Sequence, residues 1–184
     1  ARVEANAQNY PNACAIIFEG QQMTWFEFNA LANRFAHYFE DQGVKRGDVV
    51  SNMMENRIEY LALLVGLNKL GAISGLLNSN LGGASLVHCI NVTGSSKCIV
   101  GEECMTELDA VQEQLNLQAG SDFFFVKDEG TKPCPNWAQD LMTSSAELSE
   151  ENPAQTNDTT IGETALYIYT SGTTGLPKAC LLYT

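Results

Sequence analysis

Residues 48 to 77 read DVVSNMMENRIEYLALLVGLNKLGAISGLL, a complete strand–helix–strand pattern. The run from Asp48 to Met54 is strand-like, and Asn56 is suited to cap the helix that follows. The helix ends before Gly71, and Ala72 to Leu77 forms a second, glycine-interrupted apolar run. Between the two strand-like runs, apolar residues recur at helical spacing at Ile58, Leu61, Ala62 and Val65. This stretch therefore predicts two strands joined by a helix.

Upstream of this unit the sequence predicts a hairpin strand and a long helix. Ala13 to Phe18 reads as an apolar strand, and Glu19 to Gln21 as a turn. Thr24 and Glu27 fit a capping box, and the helix that they begin ends at Gly43. Its apolar stripe is predicted to be core and consists of Trp25, Phe28, Leu31, Ala32, Phe35, Ala36 and Phe39.

Downstream, strands and helices continue to alternate. The predicted elements are a helix over Gly83 to Val92, a strand over Lys97 to Val100, a helix over Met105 to Leu115 and a strand over Phe123 to Val126. Such alternation is typical of parallel strands joined by right-handed helical crossovers. The sequence therefore predicts an α/β fold with a largely parallel sheet and helices on both faces.

The composition indicates an ordinary folded protein. The chain has 184 residues, of which 45% are hydrophobic and 17% charged, and this length favours one domain. Its formal net charge of −12 argues against a nucleic-acid partner, since phosphate contacts depend on clustered Lys and Arg. The longest uncharged run, Leu70 to Ser96, is interrupted by polar residues, so no transmembrane helix is predicted, and no targeting segment is visible because the first residues lack an apolar signal core.

Six cysteines allow two interpretations. Their even number would suit a disulfide framework, but Cys14, Cys98 and Cys180 lie in apolar strand-like runs, which favours reduced and buried thiols. Neither His37 nor His88 stands at zinc-ligand spacing from two cysteines. We therefore predict no metal ligand in this chain.

The periodic pattern stops between residues 128 and 163. This segment contains Pro133, Pro135 and Pro153, and no Lys or Arg occurs between Lys132 and Lys178. It is predicted to be an acidic, loop-rich excursion on the solvated surface. A β-prone run, Thr164 to Tyr169, then returns the chain to the sheet.

Directly after this run, Thr170 to Lys178 reads TSGTTGLPK, which we call the glycine–hydroxyl loop. Its glycines let backbone N–H groups turn towards an anion, its hydroxyls add donors, and Lys178 adds a positive charge, a combination suited to polyphosphate. By composition alone the loop could equally be a flexible surface connector. Apolar runs on both sides argue against that interpretation. The spacing matches neither G-x-x-x-x-G-K-[ST] nor G-x-G-x-x-G, the loops of kinases and Rossmann proteins.

Ile168 to Lys178 resemble the signature loop of the adenylate-forming superfamily, a run of Ser, Thr and Gly that ends in Pro-Lys. Tyr167 to Thr170, together with Ala179, are similar to the branch of fatty acid transport proteins and very-long-chain acyl-CoA synthetases. Asn78 to Leu81 also resembles that branch, but Gly82 stands where an Arg is usual. Further similar segments are Leu31–Phe35, Gly47–Val50, Met54–Arg57, Gly66–Ala72 and Leu86–Cys89.

This resemblance implies that residues 1–184 are an incomplete N-terminal AMP-binding domain of the acyl-CoA synthetase fold. It implies a ligase that uses ATP, Mg²⁺ and CoA: a carboxylate attacks the α-phosphate of ATP, and the CoA thiol then displaces AMP. The residues implied to bind the nucleotide phosphates are Thr170, Ser171, Gly172, Thr173, Thr174, Gly175 and Lys178. Lys178 is implied to act in catalysis by stabilising the leaving pyrophosphate. Among the other residues of the loop, Thr173 is the one that we first expect to be functional.

The implied substrate is a long-chain or very-long-chain fatty acid, whose activation is linked in this branch to fatty acid uptake. Two alternatives stay open: another carboxylate-adenylating CoA ligase, and a non-catalytic fatty acid transport component. The resemblance implies a protein that is either cytoplasmic or associated with a membrane and facing the cytosol. Membrane attachment and oligomeric state stay open.

We expect residues 1–184 by themselves to be inactive and prone to aggregation. The resemblance puts further catalytic residues downstream of Thr184, and the apolar run from Cys180 to Tyr183 would form a strand edge that other chains can pair with. The measurement is ATP turnover and light scattering of the isolated 184-residue chain. A soluble chain that turns over ATP would contradict this expectation.

Overall fold

A mostly parallel sheet runs through the centre of this protein, whose computed structural model describes residues 2–160, 162–170 and 177–183. The described helices are α1 (Arg2–Asn9), α2 (Trp25–Asp41), α3 (Ile58–Lys69), α4 (Gly83–Val92), α5 (Met105–Asp109) and α6 (Leu141–Ser145). The described strands are β1 (Cys14–Phe18), β2 (Gln21–Thr24), β3 (Val49–Met53), β4 (Ile73–Leu76), β5 (Lys97–Gly101), β6 (Phe123–Val126), β7 (Gln139–Asp140), β8 (Thr164–Thr170) and β9 (Lys178–Tyr183). The predicted α/β class is confirmed.

Seven of the described strands form the main sheet, in the order β7-β6-β5-β3-β4-β8-β9. All neighbouring pairs are parallel except β8 and β9, which are antiparallel. From β3 the chain moves first to β4 on one side and then to β5 on the other. The strand order therefore reverses between β3 and β5, which is the topological switch point of a doubly wound sheet.

The sheet is covered on both faces, so its central strands are buried. Alternate residues of β6 show this: Phe124 and Val126 lie in the core beneath α2 and α3, whereas Phe123 and Phe125 lie in the core beneath α4 and α5. All five residues of β3 are buried. Burial on both faces explains why β6 reads as a continuous apolar run rather than as an alternating one, whereas β3 also buries the polar side chains of Ser51 and Asn52.

Helix α2 begins as predicted. The Thr24 hydroxyl accepts a hydrogen bond from the Glu27 amide at 3.3 Å, and the Glu27 carboxylate accepts one from the Thr24 amide at 2.8 Å. The predicted aromatic stripe packs inward, and the ring of Phe39 meets that of Phe124 edge-on at 5.1 Å between centroids. The capping box and the apolar stripe thus fix both the start and the buried face of this helix.

Helices α2 and α3 approach each other closely at Gly66. A Cβ at this position would lie 2.7 Å from the Ala32 carbonyl oxygen and 3.3 Å from the Cβ of Phe35. Because the nearest atom belongs to backbone, it cannot move aside as a flexible side chain could. The glycine therefore sets the distance between the two helices.

Two details of the predicted helices are wrong. The residue that precedes α3 is Arg57, which is extended and makes no side-chain cap, so Asn56 does not cap this helix. The predicted helix over Met105 to Leu115 ends at Asp109, and a 3₁₀ turn follows, since Val111 leaves the helical region at φ −129°. Val111 and Leu115 are still buried in one core, so the apolar spacing reflects burial rather than continuous helix.

The predicted acidic excursion contains regular structure, which the sequence did not indicate. β7 adds a strand to the sheet beside β6, and α6 packs against α2. Trp137 holds the preceding loop down: its indole donates to Asp109 at 2.6 Å, and its ring meets Phe123 edge-on. Asp140 caps α6 by accepting from the Thr143 amide at 2.9 Å.

The later part of the excursion, residues 149–160, forms a strap across α2 and α3. Arg34 pairs with Glu150 at 2.6 Å, and the Asn33 amide donates to the Glu150 carbonyl at 2.6 Å. Beneath the strap, the ammonium of Lys69 is only 3% exposed and donates to Asn29, Asn33 and Asn152 at 2.6 to 2.8 Å.

Lys69 also pairs with Glu4 of α1 at 3.1 Å. Burial lowers the pKa of Lys69, and the charge of Glu4 partly opposes this shift. A buried ammonium is tolerated when its three protons are all bonded, which is the arrangement here. Lys69 thus links α1, α2 and the strap at one point.

All six cysteines lie within the described residues and are free thiols, so the disulfide alternative is not realised. Cys89, Cys98 and Cys104 are buried, and burial raises the pKa of Cys98 to about 12. Cys14 and Cys180 are exposed, contrary to the prediction. Both lie in strands with an exposed face, so the apolar residues around them in the sequence did not imply burial.

We expect Gly66→Ala to lower the free energy of unfolding by about 1–3 kcal/mol, because the added methyl group forces α2 and α3 apart. Differential scanning fluorimetry of the full-length protein measures this as a lower unfolding midpoint. Leu61→Ala on the exposed side of the same helix is the control, with a change of about 0.5 kcal/mol or less. Equal midpoints for Gly66→Ala and the wild type would contradict the close packing.

Candidate functional site

The glycine–hydroxyl loop follows β8 at the carboxyl edge of the parallel sheet. β8 pairs in parallel with β4, which in turn pairs in parallel with β3, so all three strands end at the same edge. In open α/β sheets this edge is where ligands bind. The described part of the predicted site therefore lies where the fold favours a binding site.

The two ends of the loop face each other across the β8–β9 hairpin. Thr170, the last residue of β8, pairs in register with Lys178, the first residue of β9, and both side chains are exposed. The Thr170 hydroxyl lies 3.4 Å from the Cys180 thiol. The hairpin thus brings together one predicted hydroxyl and the predicted catalytic ammonium. The other predicted site residues, Ser171, Gly172, Thr173, Thr174 and Gly175, lie outside the described residues.

Helix α4 contacts Pro177, the residue of the loop that immediately precedes β9. Nε2 of His88 lies 3.1 Å from the carbonyl oxygen of Pro177. A carbonyl can only accept, so the ring nitrogen must carry the proton and donate. His88 is half-buried and stands on a helix whose inward residues are Leu86, Cys89 and Ile90.

The other arm of the hairpin is tied to the same helix. The hydroxyl of Tyr169 donates to the Cys89 carbonyl at 2.9 Å and lies 3.2 Å from the Thr93 hydroxyl. Burial raises the pKa of Tyr169 to about 12, and the nearby Thr93 hydroxyl only partly offsets this. Tyr169 therefore stays neutral as the donor of this contact throughout the physiological pH range.

A chain of hydroxyls continues from Tyr169 into the sheet. Thr93 lies 3.1 Å from the Ser95 hydroxyl, and Ser95 lies 2.6 Å from Ser51 on β3. Gly75 on β4 borders the Tyr169 hydroxyl, since a Cβ there would be in ordinary van der Waals contact with it at 3.4 Å. The position of Tyr169 is thus fixed by partners on α4 and by the strand beneath it.

A cluster of charges occupies the switch point between β3 and β5. Arg57 follows β3 and is only 8% exposed; it pairs with Glu103 at 2.5 Å and with Asp128 at 2.8 Å. Beside it, the buried Glu102 accepts from Lys127 at 2.9 Å. We call these five residues the Arg57 cluster.

The Arg57 cluster gives the switch point a structural role. Burial by itself lowers the pKa of Arg57, but the hydrogen bonds and charges of Glu103 and Asp128 outweigh it, so the net shift is upwards. Arg57 and Glu102 are the buried members, so removing the partner of either would leave a buried charge less well paired, which is destabilising. The ion pairs of the cluster connect the carboxyl ends of β3, β5 and β6.

An open pocket of about 430 Å³ lies beyond the carboxyl ends of β3 and β4. Its lining residues are Met54, Glu55, Asn56, Tyr60, Leu77, Asn78 and Ser79. β4 is the neighbour of β8, so this pocket and the glycine–hydroxyl loop share one edge of the sheet. The predicted loop and a pocket of ligand size are therefore compatible with a single binding region.

Sequence reasoning found Thr170 and Lys178 but missed His88 and Tyr169 as residues that contact the ends of the loop. Both residues lie in segments that resemble the fatty acid transport protein branch, Leu86–Cys89 and Tyr167–Thr170, but neither segment indicated a contact with the loop. A signal did exist: His88 and Ser85 are the polar side chains within the otherwise small or apolar run from Gly83 to Ile90. Nothing in the sequence indicated that the partner of His88 lies 89 positions away.

Two further findings concern the described residues alone. Residues 2–160, 162–170 and 177–183 contain no group of three or more His, Cys, Asp or Glu side chains placed to hold a metal ion. Within the same ranges, no helix combines the length and the apolar character needed to cross a bilayer.

Comparison with known proteins agrees with the resemblance in the sequence. A family model described as AMP-binding enzyme matches residues 3–184. The mouse (Mus musculus) long-chain fatty acid transport protein 6 is 31% identical over 182 residues, which cover 97% of this chain and 28% of that protein. A medium/long-chain-fatty-acid–CoA ligase of Mycobacterium tuberculosis, FadD6, is 30% identical over 96% of this chain and 27% of its own length.

The fold is shared with solved structures. A fatty acyl CoA synthetase of Mycobacterium tuberculosis superimposes with a TM-score of 0.79 at 24% identity, over 98% of this chain and 33% of that one. The predicted architecture of an acyl-CoA synthetase N-terminal domain is thus confirmed. The chain spans a little over a quarter of the length of the two relatives that it matches.

We expect Tyr169→Phe to reduce the loss of stability at alkaline pH. The pKa of about 12 in the folded protein lies above the value of roughly 10 in an unfolded chain, so the fold favours the neutral phenol. This contribution is complete below pH ~10 and is lost as the pH rises towards 12. The measurement is the unfolding midpoint of the full-length protein between these pH values, for wild type and variant.

The exposed Tyr10 supplies the matched control, because Tyr10→Phe removes a hydroxyl without changing a buried contact. Its midpoint should fall with pH as steeply as that of the wild type. If Tyr169→Phe and the wild type lose stability in parallel, the tyrosine does not make the buried contact described above.

Proposed function

Because this chain belongs to the AMP-binding enzyme family, we propose that it carries the phosphate-binding part of an AMP-forming acyl-CoA synthetase. The proposed substrate is a long-chain or very-long-chain fatty acid, and the co-substrates are ATP and CoA. The observation that carries the proposal is the pairing of Thr170 with Lys178 at the carboxyl edge of the sheet, at the two ends of the glycine–hydroxyl loop. The names of the relatives, a long-chain fatty acid transport protein and a medium/long-chain-fatty-acid–CoA ligase, support this substrate class.

In the proposed first step, a carboxylate oxygen of the acid attacks the α-phosphorus of ATP. The bond to the oxygen that bridges to the β-phosphate breaks, which yields acyl-adenylate and pyrophosphate. In the second step the CoA thiol gives up its proton to solvent, its sulfur attacks the acyl carbon, and AMP leaves with the electron pair of the cleaved C–O bond. The protein contributes by positioning and by neutralising charge where it develops.

Lys178 is proposed to neutralise the negative charge that grows on the leaving pyrophosphate. Its ammonium is exposed at the start of β9 and is held on a strand rather than on a free connector, so it can reach a bound ligand without reorganisation of the backbone. Thr170, Ser171, Thr173 and Thr174 are proposed to donate from their hydroxyls to the β- and γ-phosphates, and Gly172 and Gly175 to expose backbone N–H groups to them. Mg²⁺ bound to the phosphates would supply further charge neutralisation, as is usual for nucleotide phosphates.

The relatives also support a second candidate function. The name of the mouse relative refers to transport of fatty acids. A transport component could retain weak ATP binding in the loop without turnover, whereas a synthetase must turn over ATP in the presence of an acid. Turnover therefore separates the two functions.

We further propose that the full-length protein either is cytoplasmic or lies at a membrane surface and faces the cytosol, where ATP is available.

We expect the full-length protein to catalyse ATP–pyrophosphate exchange that depends on a long-chain acid such as hexadecanoate. Lys178→Ala should lower kcat/KM for ATP by about tenfold or more, roughly 1.4 kcal/mol of lost transition-state stabilisation. A panel of aromatic acids, bile acids and amino acids tests the other adenylating ligases.

The control is Lys45→Ala, which removes an exposed ammonium that precedes β3 at the opposite, amino edge of the sheet. This variant should retain the exchange rate of the wild type. Exchange with a non-fatty acid alone would reassign the substrate. No exchange with any acid would favour the transport function.

A further inference from the structure

Helix α4 holds both arms of the hairpin that carries the glycine–hydroxyl loop, through two consecutive residues. The His88 side chain contacts the Pro177 carbonyl at one end of the loop, and the Cys89 carbonyl accepts from Tyr169 at the other. The two contacts bracket the segment between Tyr169 and Lys178. A displacement of α4 would therefore move both ends of the loop together.

The contact from His88 acts directly on the residue before the catalytic lysine. The peptide unit between Pro177 and Lys178 is planar, so a bond to the Pro177 oxygen also fixes the direction of the Lys178 N–H and Cα. Pro177 itself has a fixed φ and no N–H group to donate. The rest of the protein can therefore orient this peptide unit through a hydrogen bond to the Pro177 carbonyl. Nε2 of His88 lies 3.1 Å from this carbonyl oxygen.

The surroundings of His88 favour a role in orientation rather than in core packing. Its ring is half-buried, whereas the core contacts of α4 are made by Leu86, Cys89 and Ile90. Antiparallel pairing between Thr170 and Lys178 sets the register of the hairpin but leaves the peptide plane before Lys178 at the edge of the ladder. The side-chain contact from His88 constrains this plane in addition to the strand pairing.

We propose that His88 is a positioning residue for nucleotide binding: its Nε2–H holds the Pro177 carbonyl and so places Lys178 against the phosphates of ATP. This proposal rests on the proposed function, because it takes ATP to be the ligand of the glycine–hydroxyl loop. His88 does not touch the nucleotide and acts through the backbone. Tyr169 is the second anchor, which keeps the opposite arm of the hairpin on α4.

The test compares His88→Ala with His88→Gln in the full-length protein. Glutamine places an amide N–H at a distance from Cα similar to that of Nε2 in histidine, so it can restore the donor. We expect His88→Ala to lower kcat/KM for ATP in hexadecanoate-dependent exchange by about five- to tenfold, and His88→Gln to recover to within about threefold of the wild type. The unfolding midpoints of the two variants should agree, since the core contacts of α4 are unchanged.

His37→Ala is the matched control. Nε2 of His37 also faces a carbonyl, that of Glu151 at 2.9 Å, but this contact fastens the strap rather than the loop. This variant should retain the kinetic constants of the wild type within about twofold, because it removes the same type of hydrogen bond away from the loop. A loss in His37→Ala equal to that in His88→Ala would overturn the specific role of His88.

The remaining outcomes separate this inference from the proposed function. If Lys178→Ala loses exchange but His88→Ala matches the wild type, the proposed function stands and the role of His88 is wrong. If His88→Ala and His88→Gln lose activity equally and both unfold at lower temperature, His88 is merely structural. If the wild type shows no exchange, the shift in unfolding midpoint caused by MgATP decides: a shift that is reduced in His88→Ala and restored in His88→Gln supports the inference, and equal shifts overturn it.

Discussion

The parallel pairing of β8 with β4 is the contact on which the arrangement of the site depends. It aligns Gly75 with Tyr167 and Leu76 with Ile168, residues about 90 positions apart, and thereby returns the chain to the sheet after the long excursion. Closing a loop of this length costs entropy, although the cost rises only with the logarithm of length. Backbone hydrogen bonds of the ladder offset part of it. Without this pairing, the glycine–hydroxyl loop would not lie at the carboxyl edge.

The strap supplies the other contacts that hold the excursion in place. Its acidic residues are exposed, as the composition predicted, yet Glu150 also pairs with Arg34, and the strap's Asn152 accepts a hydrogen bond from the buried ammonium of Lys69. Lys69 can join these elements because its long side chain reaches from α3 to three asparagine oxygens and to the Glu4 carboxylate at once. Glu150 thus has a partner on α2 as well as contact with solvent, whereas the strap's contact with Lys69 of α3 is made by the neutral Asn152.

The site combines elements that differ in how they are held. The strand ends at Thr170 and Lys178 are set by backbone pairing, whereas the peptide before Lys178 and the ring of Tyr169 are set by α4. The Arg57 cluster, by contrast, joins the ends of β3, β5 and β6 by ion pairs, and an open pocket lies beyond the neighbouring ends of β3 and β4. Ion pairing at one position and helix contacts at another thus hold different parts of this edge of the sheet.

The sequence by itself determined the alternation of strands and helices from β3 to β6, the capping box of α2, the bounds of α4 and β6, and the position of Thr170 and Lys178 at the two ends of the glycine–hydroxyl loop. These features are local, since periodicity, caps and motifs depend on residues within a few positions of each other. The tertiary structure alone decided that α5 is short, that β7 joins the sheet, and that His88, Arg57 and Lys69 find their partners. Those contacts join residues 36 to 89 positions apart, and a side chain's local pattern carries no information about a partner that only the fold brings near.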